Sequence, residues 1–530
     1  MTERTEQRAG SWRWAALAVL CLSLIVVTID TTILNVALPS VQRALHPSAS
    51  GLQWMVDAYT VVFAGLLLSA GSLGDRFGRR STLGWGLAVF AVGSGASALA
   101  STSGELIALR ALTGVGAALV FPATLSILTN IFTDPTERQR AIAIWAGTAG
   151  IGIGLGPVAG GLLLRRFYWG SVFWVNVPVC VVALLAGRLL LPNSRDPGHS
   201  PLDVPGAILS MLGLSALVYA IIEGPSGGWT SPSVIGGFVA AVVLLGAFGV
   251  LELHRKYPML DLRLFKNPRF TAASAAIATL YFCLFGVIFF QTQHLQFILG
   301  YDPLGAGLRS VPFAVVLLIV ANTTPRLVRR LGTRVVVTIG LALVGISMLM
   351  RVPFSVHTGY AGILESQVLF AIGMGLTIAP ATSSIMGAVP AERAGVGSAI
   401  NDTTRQVGGA LGVAVMGSVG ASLYHHDIAQ RLGDTRLPTA VAANVRSSVG
   451  AGLQAAHALP QPLRTTVDAA VRHAFIRGSD VASLVAVVVA AVGVVIAYRF
   501  LPRGMRVGST APSRPGPVTP ALSLATEVDA

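Results

Sequence analysis

The sequence predicts an all-α membrane protein, and three observations carry that prediction. Of its 530 residues, 53% are hydrophobic and only 11% charged, with a mean hydropathy of +0.71. Soluble domains carry about 25% charged residues, so this surface is suited to lipid. The apolar residues also fall into runs of about 20, the length that spans a hydrocarbon core as a helix. Lastly, the net charge of +14 is not gathered into one patch but sits in short clusters between those runs, as orienting charge does. A nucleic-acid partner is therefore not expected.

Fourteen runs qualify as spans: 14–36, 52–70, 82–100, 105–129, 140–164, 171–191, 204–222, 232–252, 270–292, 305–328, 334–352, 360–382, 397–423 and 480–500. The first follows Arg4, Arg8 and Arg13 as a signal peptide would. It is longer than the apolar region of a leader and lacks a small-residue cleavage site, so it reads as a retained span. With the N-terminus inside, the inner segments hold Arg76, Arg79, Arg80, Arg138, Arg140, Arg188 and Arg195. Farther along they hold Arg255, Lys256, Arg263, Lys266, Arg269, Arg326, Arg329, Arg330, Arg334, Arg393, Arg499, Arg503, Arg506 and Arg514. The short outer loops carry only Arg43, Arg165, Arg166, Arg309 and Arg351. Both termini are thus expected in the cytoplasm.

Residues 1–13 read as a cytoplasmic tail, and 503–530, rich in Pro, Ser and Thr, as a disordered one. One outer loop is long, 424–480. Its stretches 439–459 and 463–476 mix small apolar residues with spaced charges, which suits short helices on the outer membrane surface or a packed extracellular cap. Cys21, Cys180 and Cys283 each lie inside an apolar run and match neither a disulfide framework nor a metal site. The chain shows no nucleotide loop, no metal cluster and no nucleophile with a base beside it, so neither an enzyme nor a bound cofactor is expected.

The loop between spans two and three reads Gly71-Ser-Leu-Gly74-Asp75-Arg76-Phe77-Gly78-Arg79-Arg80. Glycines permit a tight elbow with positive φ, and Asp75 can cap a helix or pair with an arginine. A plain positive-inside turn would explain Arg79 and Arg80 but not the glycine spacing. Between spans ten and eleven, Arg329-Arg330-Leu331-Gly332-Thr333-Arg334 echoes it, with Gly332 opposite Gly78 and Arg334 opposite Arg80. Such an echo is what two parallel repeats leave.

The first of these loops resembles the signature of the major facilitator superfamily. Further stretches are similar to motifs of its fourteen-span drug:proton antiporter family. They are Thr28–Pro39 at the end of span one, with Asp30 and Asn35; Trp54–Tyr59; Leu109 to Gly116 in span four, with Arg110; and Asn401–Gly409. The fifth is Gly152-Ile-Gly-Leu-Gly156-Pro157-Val-Ala-Gly160-Gly161 in span five. The resemblance covers the whole membrane region. It implies two six-helix bundles (14–200 and 256–502) joined by two linking helices (201–255), and alternating access to a midplane cavity. It further implies a proton-coupled export of small amphipathic drugs or antibiotics across the plasma membrane, driven by the proton motive force. The span-five glycine pattern is what implies export. Siderophores, lipids or a self-made antibiotic fit the same fold, because fold does not choose a cargo. A monomer is expected to suffice.

Depth along the helices narrows the coupling site. Asp30 lies about 12 Å from the outer end of span one, and Asp57 and Arg110 about 8 Å into spans two and four, at 1.5 Å per residue. All three fall in one layer. A charge at the bilayer centre costs on the order of 3 kcal/mol, so intramembrane charges pair or line a cavity. Asp30 with Arg110 is the expected pair, a carboxylate whose proton occupancy can follow water access. Asp57, nearer the interface, is as readily solvated as functional. Gln291, His294 and Asn322, with Asn35, could line the cavity, although an interfacial histidine is more often simply solvated. Asp402 and Arg405 are spaced as an i,i+3 pair. Glu223, Glu252 and Glu365 fall near span ends within reach of water.

Overall fold

The computed structural model describes residues 2–194, 203–255, 258–389, 394–433, 435 and 437–502. The tail expected to be disordered, 503–530, lies outside them. Every regular element described is helical. In chain order they are α1 (Thr2–Leu45), α2 (Ala49–Phe77), α3 (Arg79–Ala98), α4 (Ser103–Ile131), α5 (Pro135–Arg166), the single turn α6 (Ser171–Trp174) and α7 (Asn176–Leu190). Next come α8 (Val204–Gly227), α9 (Pro232–His254), a 3-10 turn (Leu262–Lys266), α10 (Pro268–Gln293) continued by a π-helical turn (His294–Ile298), the short α11 (Pro303–Leu308), α12 (Val311–Leu349) and α13 (Tyr360–Met386). The last are α14 (Ala394–Leu432), α15 (Thr439–Ser447), α16 (Val449–His457) and α17 (Leu463–Phe500). Because α1 starts at Thr2, the segment expected as a tail, 2–13, is helical.

Local chemistry sets many of the ends. The side chains of Ser48, Asp203, Ser231, Asn267 and Asp302 accept from the first turns of α2, α8, α9, α10 and α11, and Thr102 with Glu105 forms a capping box on α4.

Ten helices among the described residues are long and apolar enough to cross a membrane, where fourteen spans were expected. α2, α3 and α5, at 29, 20 and 32 residues, are not among the ten, and glycine and serine dilute α3. Expected spans ten and eleven meet within α12 at Gly332, whose non-helical backbone (φ 81°, ψ 158°) separates two helices with no loop between them.

One apolar core is built entirely from Ala16 to Leu191, out of α1 to α5 and α7. A larger one runs through α10, α12, α13, α14 and α17 and takes in one end of α1, α2 and α4. α8 and α9 pack on each other, and α8 lies against α2 and α14.

The long loop is more compact than expected. α14 continues to Leu432 and α17 begins at Leu463, so only 433–462 connects them. That stretch is two helices broken at Ser448, and they are packed rather than laid on a surface. Val445, Val449, Leu453 and Ala456 are buried in the larger core. Tyr424 donates to Val445 O at 2.7 Å, and Gln42 at the end of α1 donates to Ser448 Oγ at 2.5 Å. Of the two readings the sequence allowed, the packed cap is the one observed.

Candidate functional site

The centre of the first half is a buried ion pair. Arg110 Nη1 donates to Asp30 Oδ2 at 2.6 Å, with the two side chains 2% and 0% exposed. Close helix packing brings them together. A Cβ at Gly114 would stand 2.6 Å from Tyr59 O, and one at Gly116 2.6 Å from Phe90 N, so α4 lies directly on α2 and α3. From there Arg110 also donates through Nε to Met55 O at 3.2 Å. Its guanidinium sits 4.4 Å from the Tyr59 ring centre and 5.8 Å from that of Phe173.

The other carboxylate oxygen, Asp30 Oδ1, accepts from Asn176 Nδ2 at 2.9 Å. Asn176 also bonds Ser94 Oγ at 3.0 Å, and Ser94 in turn donates to Phe173 O. The sequence reading missed Asn176, Ser94 and the aromatic walls. The signal for Asn176 was present: an amide inside the apolar run 171–191.

Asp57 is not part of this pair. It is 0% exposed, and neither of its oxygens has a hydrogen-bond partner.

The glycine pattern of α5 has two faces. Gly152, Gly156 and Gly160 meet Thr28, Thr32 and Ile33 of α1, one contact per helical turn. On the other face a Cβ at Gly161 would lie 2.6 Å from Leu304 Cα, one at Gly154 2.8 Å from Ala314 Cβ, and Gly307 abuts Pro157 O. α5 is thus held between α1 and the start of α11 and α12, and small residues allow the close approach.

These contacts lie at the end of the molecule where α1 passes into α2. Three side-chain bonds cross between the halves at the same end: Gln42 to Ser448, Gln296 Nε2 to Val36 O at 2.9 Å, and Ser418 Oγ to Gln53 Oε1 at 3.3 Å.

At the opposite end is the α2–α3 elbow. Gly78 has φ 101° and ψ 128°, and its N–H closes α2 on Gly74 O at 3.0 Å. A side chain there would strike Asn193, whose Oδ1 lies 2.5 Å from the Cβ position. Arg79 N donates to Ser194 O, and Arg79 Nη1 to Ser126 O at 3.4 Å. Arg80 reaches Leu191 O at 3.2 Å, while exposed Arg76 lies over Phe77. Nothing packs within 4 Å of a Cβ at Gly71, and Gly74 has ordinary contacts with Arg79. The side chain of Asp75 lies outside the described residues. In the second half, Gly332 turns α12 with a similar positive φ, and Arg334 stacks on Tyr498 at 4.3 Å. The echo seen in the sequence is therefore also an echo in backbone geometry.

The remaining candidates scatter. Asn35 is buried and donates to Thr31 O at 3.2 Å. Gln291 is buried and accepts from Arg351 Nη2 at 2.6 Å. His294, 5% exposed, packs between the rings of Phe354 and Phe475 rather than in solvent. Asn322 is exposed and donates to Leu318 O at 2.8 Å. Arg405 pairs with Asp402 at 3.3 Å and donates to Thr382 Oγ1 at 3.2 Å. Glu252, expected within reach of water, is 2% exposed because the chain from Met259 to Leu260 folds back over it. Among the described residues no group of His, Cys, Asp and Glu could hold a metal.

Comparison with known proteins agrees with this architecture. Residues 20–413 match the Major Facilitator Superfamily. The chain is 37% identical over 500 residues to the multidrug efflux pump LfrA of Mycolicibacterium smegmatis, covering 94% of this chain and 98% of that one. It is 33% identical over 476 residues to the methyl viologen resistance protein SmvA of Salmonella typhimurium (89% and 94% covered). It is 31% identical over 490 residues to the tetracenomycin C resistance and export protein of Streptomyces glaucescens (91% of each). Among solved structures, a bacterial homologue of the human lysosomal transporter Spinster, inward-facing and unoccupied, superposes with a TM-score of 0.65 at 17% identity, covering 92% of this chain and 98% of that one. The chain belongs to the major facilitator superfamily and is a multi-pass membrane transporter, not an enzyme.

Proposed function

We propose that this chain is a proton-coupled exporter of small amphipathic drugs or antibiotics, working as an antiporter in the plasma membrane. The observation that carries the proposal is the Asp30–Arg110 pair, a dry ion pair inside the half whose glycine-lined helix α5 closes one end of the molecule. The names of relatives for drug efflux, methyl viologen resistance and tetracenomycin C export support the cargo class.

In this reading the chain has fourteen spans: two six-helix bundles, linked by α8 and α9, with α12 supplying two spans either side of Gly332. Both termini and the elbows face the cytoplasm, and the cap 433–462 faces outward. A monomer holds the whole site. The closed end is then the outer one, and the cavity between the bundles opens to the cytoplasm.

The ionised pair is the state after proton release. Asp30 is negative, held by Arg110 and Asn176, and the cavity is ready for a neutral or cationic substrate. When the bundles rock and α5 parts from α11 and α12, water from outside reaches Asp30. A proton on the carboxyl removes the charge that holds Arg110, and the substrate leaves. Return delivers the proton inward. One charge falling through about 100 mV supplies about 2.3 kcal/mol, to which any pH gradient adds. Asp57, fully buried without a bonded oxygen, lies in the same layer and is a second proton carrier in this reading.

The test is a susceptibility panel in an efflux-deficient bacterium, with methyl viologen, puromycin and tetracenomycin C among the compounds. Expression of the chain should raise tolerance to at least one amphipathic compound, and dissipating the proton gradient should remove the gain. Unchanged tolerance across the panel, with the protein present in the membrane, would reject drug export.

A further inference from the structure

Helices α8 and α9 meet at their elbow-side ends in a buried group of charges that the export cycle above does not use. Asp203 caps α8: its Oδ1 accepts from Gly206 N at 2.8 Å and from Arg255 Nη1 at 2.9 Å. Glu252, in the last turn of α9, accepts from Leu260 N through Oε2 at 2.9 Å. The second oxygens of the two groups, Asp203 Oδ2 and Glu252 Oε1, are buried and have no partner. They converge on one point. A Cβ at Gly206 would stand 2.8 Å from the first and 2.7 Å from the second, so the missing side chain leaves the gap across which they face each other.

Two ionised carboxylates here would set acceptor against acceptor, with one guanidinium among the described residues for two negative charges. Ionised carboxylates cannot donate, and buried like charges in contact do not both stay ionised. One proton resolves both conflicts. We propose that Asp203 and Glu252 hold a single proton between them in an O–H···O⁻ hydrogen bond, a proton-binding site separate from Asp30 and Asp57. The pair then carries one negative charge, matched by Arg255.

The other titratable groups described on the flanking segments are engaged elsewhere. His254 is exposed and bonds Val250 O. Arg263 reaches Leu253 O, and Asp261 accepts from Arg263 N. From α2, the group that meets the fold-back is the uncharged Ser69, on Met259 Sδ.

The bond ties three segments together: the start of α8, the end of α9 and, through Leu260, the chain leading into α10. Losing the proton sets two carboxylates against each other at that junction, so the linker hairpin becomes sensitive to alkaline pH. The sign follows from linkage. The folded pair keeps a proton that free carboxyls of the unfolded chain release above about pH 4. Its stabilisation is therefore present at low pH and fades as pH rises.

The experiment uses the full chain in lipid and three variants: Glu252→Gln, Asp203→Asn and both together. The glutamine amide can donate to Asp203 Oδ2 while its carbonyl still accepts from Leu260 N, which mimics the protonated acid permanently. Asparagine keeps the cap. Thermal unfolding is followed from about pH 5 to about pH 9, a range that brackets histidine and perturbed carboxyls, and infrared absorption of protonated carboxyl groups is recorded at neutral pH. Buried acids elsewhere contribute equally to all forms, so the difference from wild type isolates this site. Each single variant should lose one carboxylic-acid band and show a flatter decline of Tm at high pH, and the double variant should add nothing to either. If Glu252→Gln does not fold, Asp203→Asn carries the same two readings. An unchanged carboxylic-acid band with an unchanged pH slope would mean both groups are ionised, and the proposal falls.

Discussion

Among the described residues each half of the molecule buries one arginine at the end away from the elbows, and the two are satisfied differently. Arg110, 1% exposed, faces the Asp30 carboxylate and lies over Tyr59. Arg351, 7% exposed, faces the Gln291 amide at 2.6 Å, with Phe354 at 6.0 Å, and no ion pair to it is found among the described residues. The cations are alike; the partners are not. A proton arriving at Asp30 changes the local charge and breaks a charge-assisted bond. An amide at Gln291 has no proton to gain at ordinary pH, so that bond stays as it is. A proton at Asp30 would thus change the contacts of Arg110, whereas the Gln291 amide gives Arg351 a fixed polar anchor.

The sharpest way to break that contrast is to exchange the partners. Asp30→Asn preserves size and one of the two acceptor oxygens but removes the titratable group. In proteoliposomes with an imposed proton gradient, export should fall to the level of passive leak while the protein remains folded. Gln291→Glu keeps an acceptor for Arg351 and should export within a few-fold of wild type, and it should not rescue Asp30→Asn. Coupled export by Asp30→Asn would move the coupling site to Asp57. Arg110→Ala leaves a buried carboxylate unpaired, at a cost on the order of 3–5 kcal/mol, so its loss of export should come with a lower Tm.

A smaller effect is expected at the elbows, where the halves are alike. Gly78 and Gly332 both sit at positive φ, 101° and 81°, a region that a β-branched residue enters only with strain of about 1–3 kcal/mol. Gly78→Val and Gly332→Val should each slow export severalfold and lower Tm, with substrate binding largely retained because both lie far from the Asp30 layer. Normal export by Gly332→Val alone would mean that only the first elbow bends during the cycle.

The parts of this arrangement that sequence made legible share a reason. Runs of about 20 apolar residues have few alternatives to a spanning helix, and Asp30 and Arg110 stood out as charges at matching depth inside such runs. Their neutral companions did not. Ser94 and Asn176 are polar residues of a kind common in lipid-embedded helices, and spacing does not say which face of a helix meets which neighbour. Burial of Glu252 was hidden for a related reason, since its cover is a segment that folds back only in three dimensions. The cap was ambiguous because a small-residue amphipathic helix suits a lipid surface and a protein surface equally. At Gly332 two helices meet with no loop between them, so the two spans stand as one among the ten long apolar helices.

The smallest effect should separate two glycines of the same loop. Gly71 shares the signature stretch with Gly78, but it lies inside α2 with nothing within 4 Å of its Cβ position. Alanine there meets no neighbour and favours the helix by up to about 1 kcal/mol. Gly71→Ala should therefore leave Tm unchanged or slightly higher, and export close to wild type, while Gly78→Val fails in the same assay. The comparison is informative because the two halves pack on each other here at the end away from the elbow. If the elbow end closes in the other state, α2 must approach the second half there, and Gly71 is a position where a methyl group would then matter. An order-of-magnitude loss of export by Gly71→Ala, with Tm intact, would place Gly71 in that closing contact. Wild-type export would leave Gly78 as the glycine on which the elbow depends.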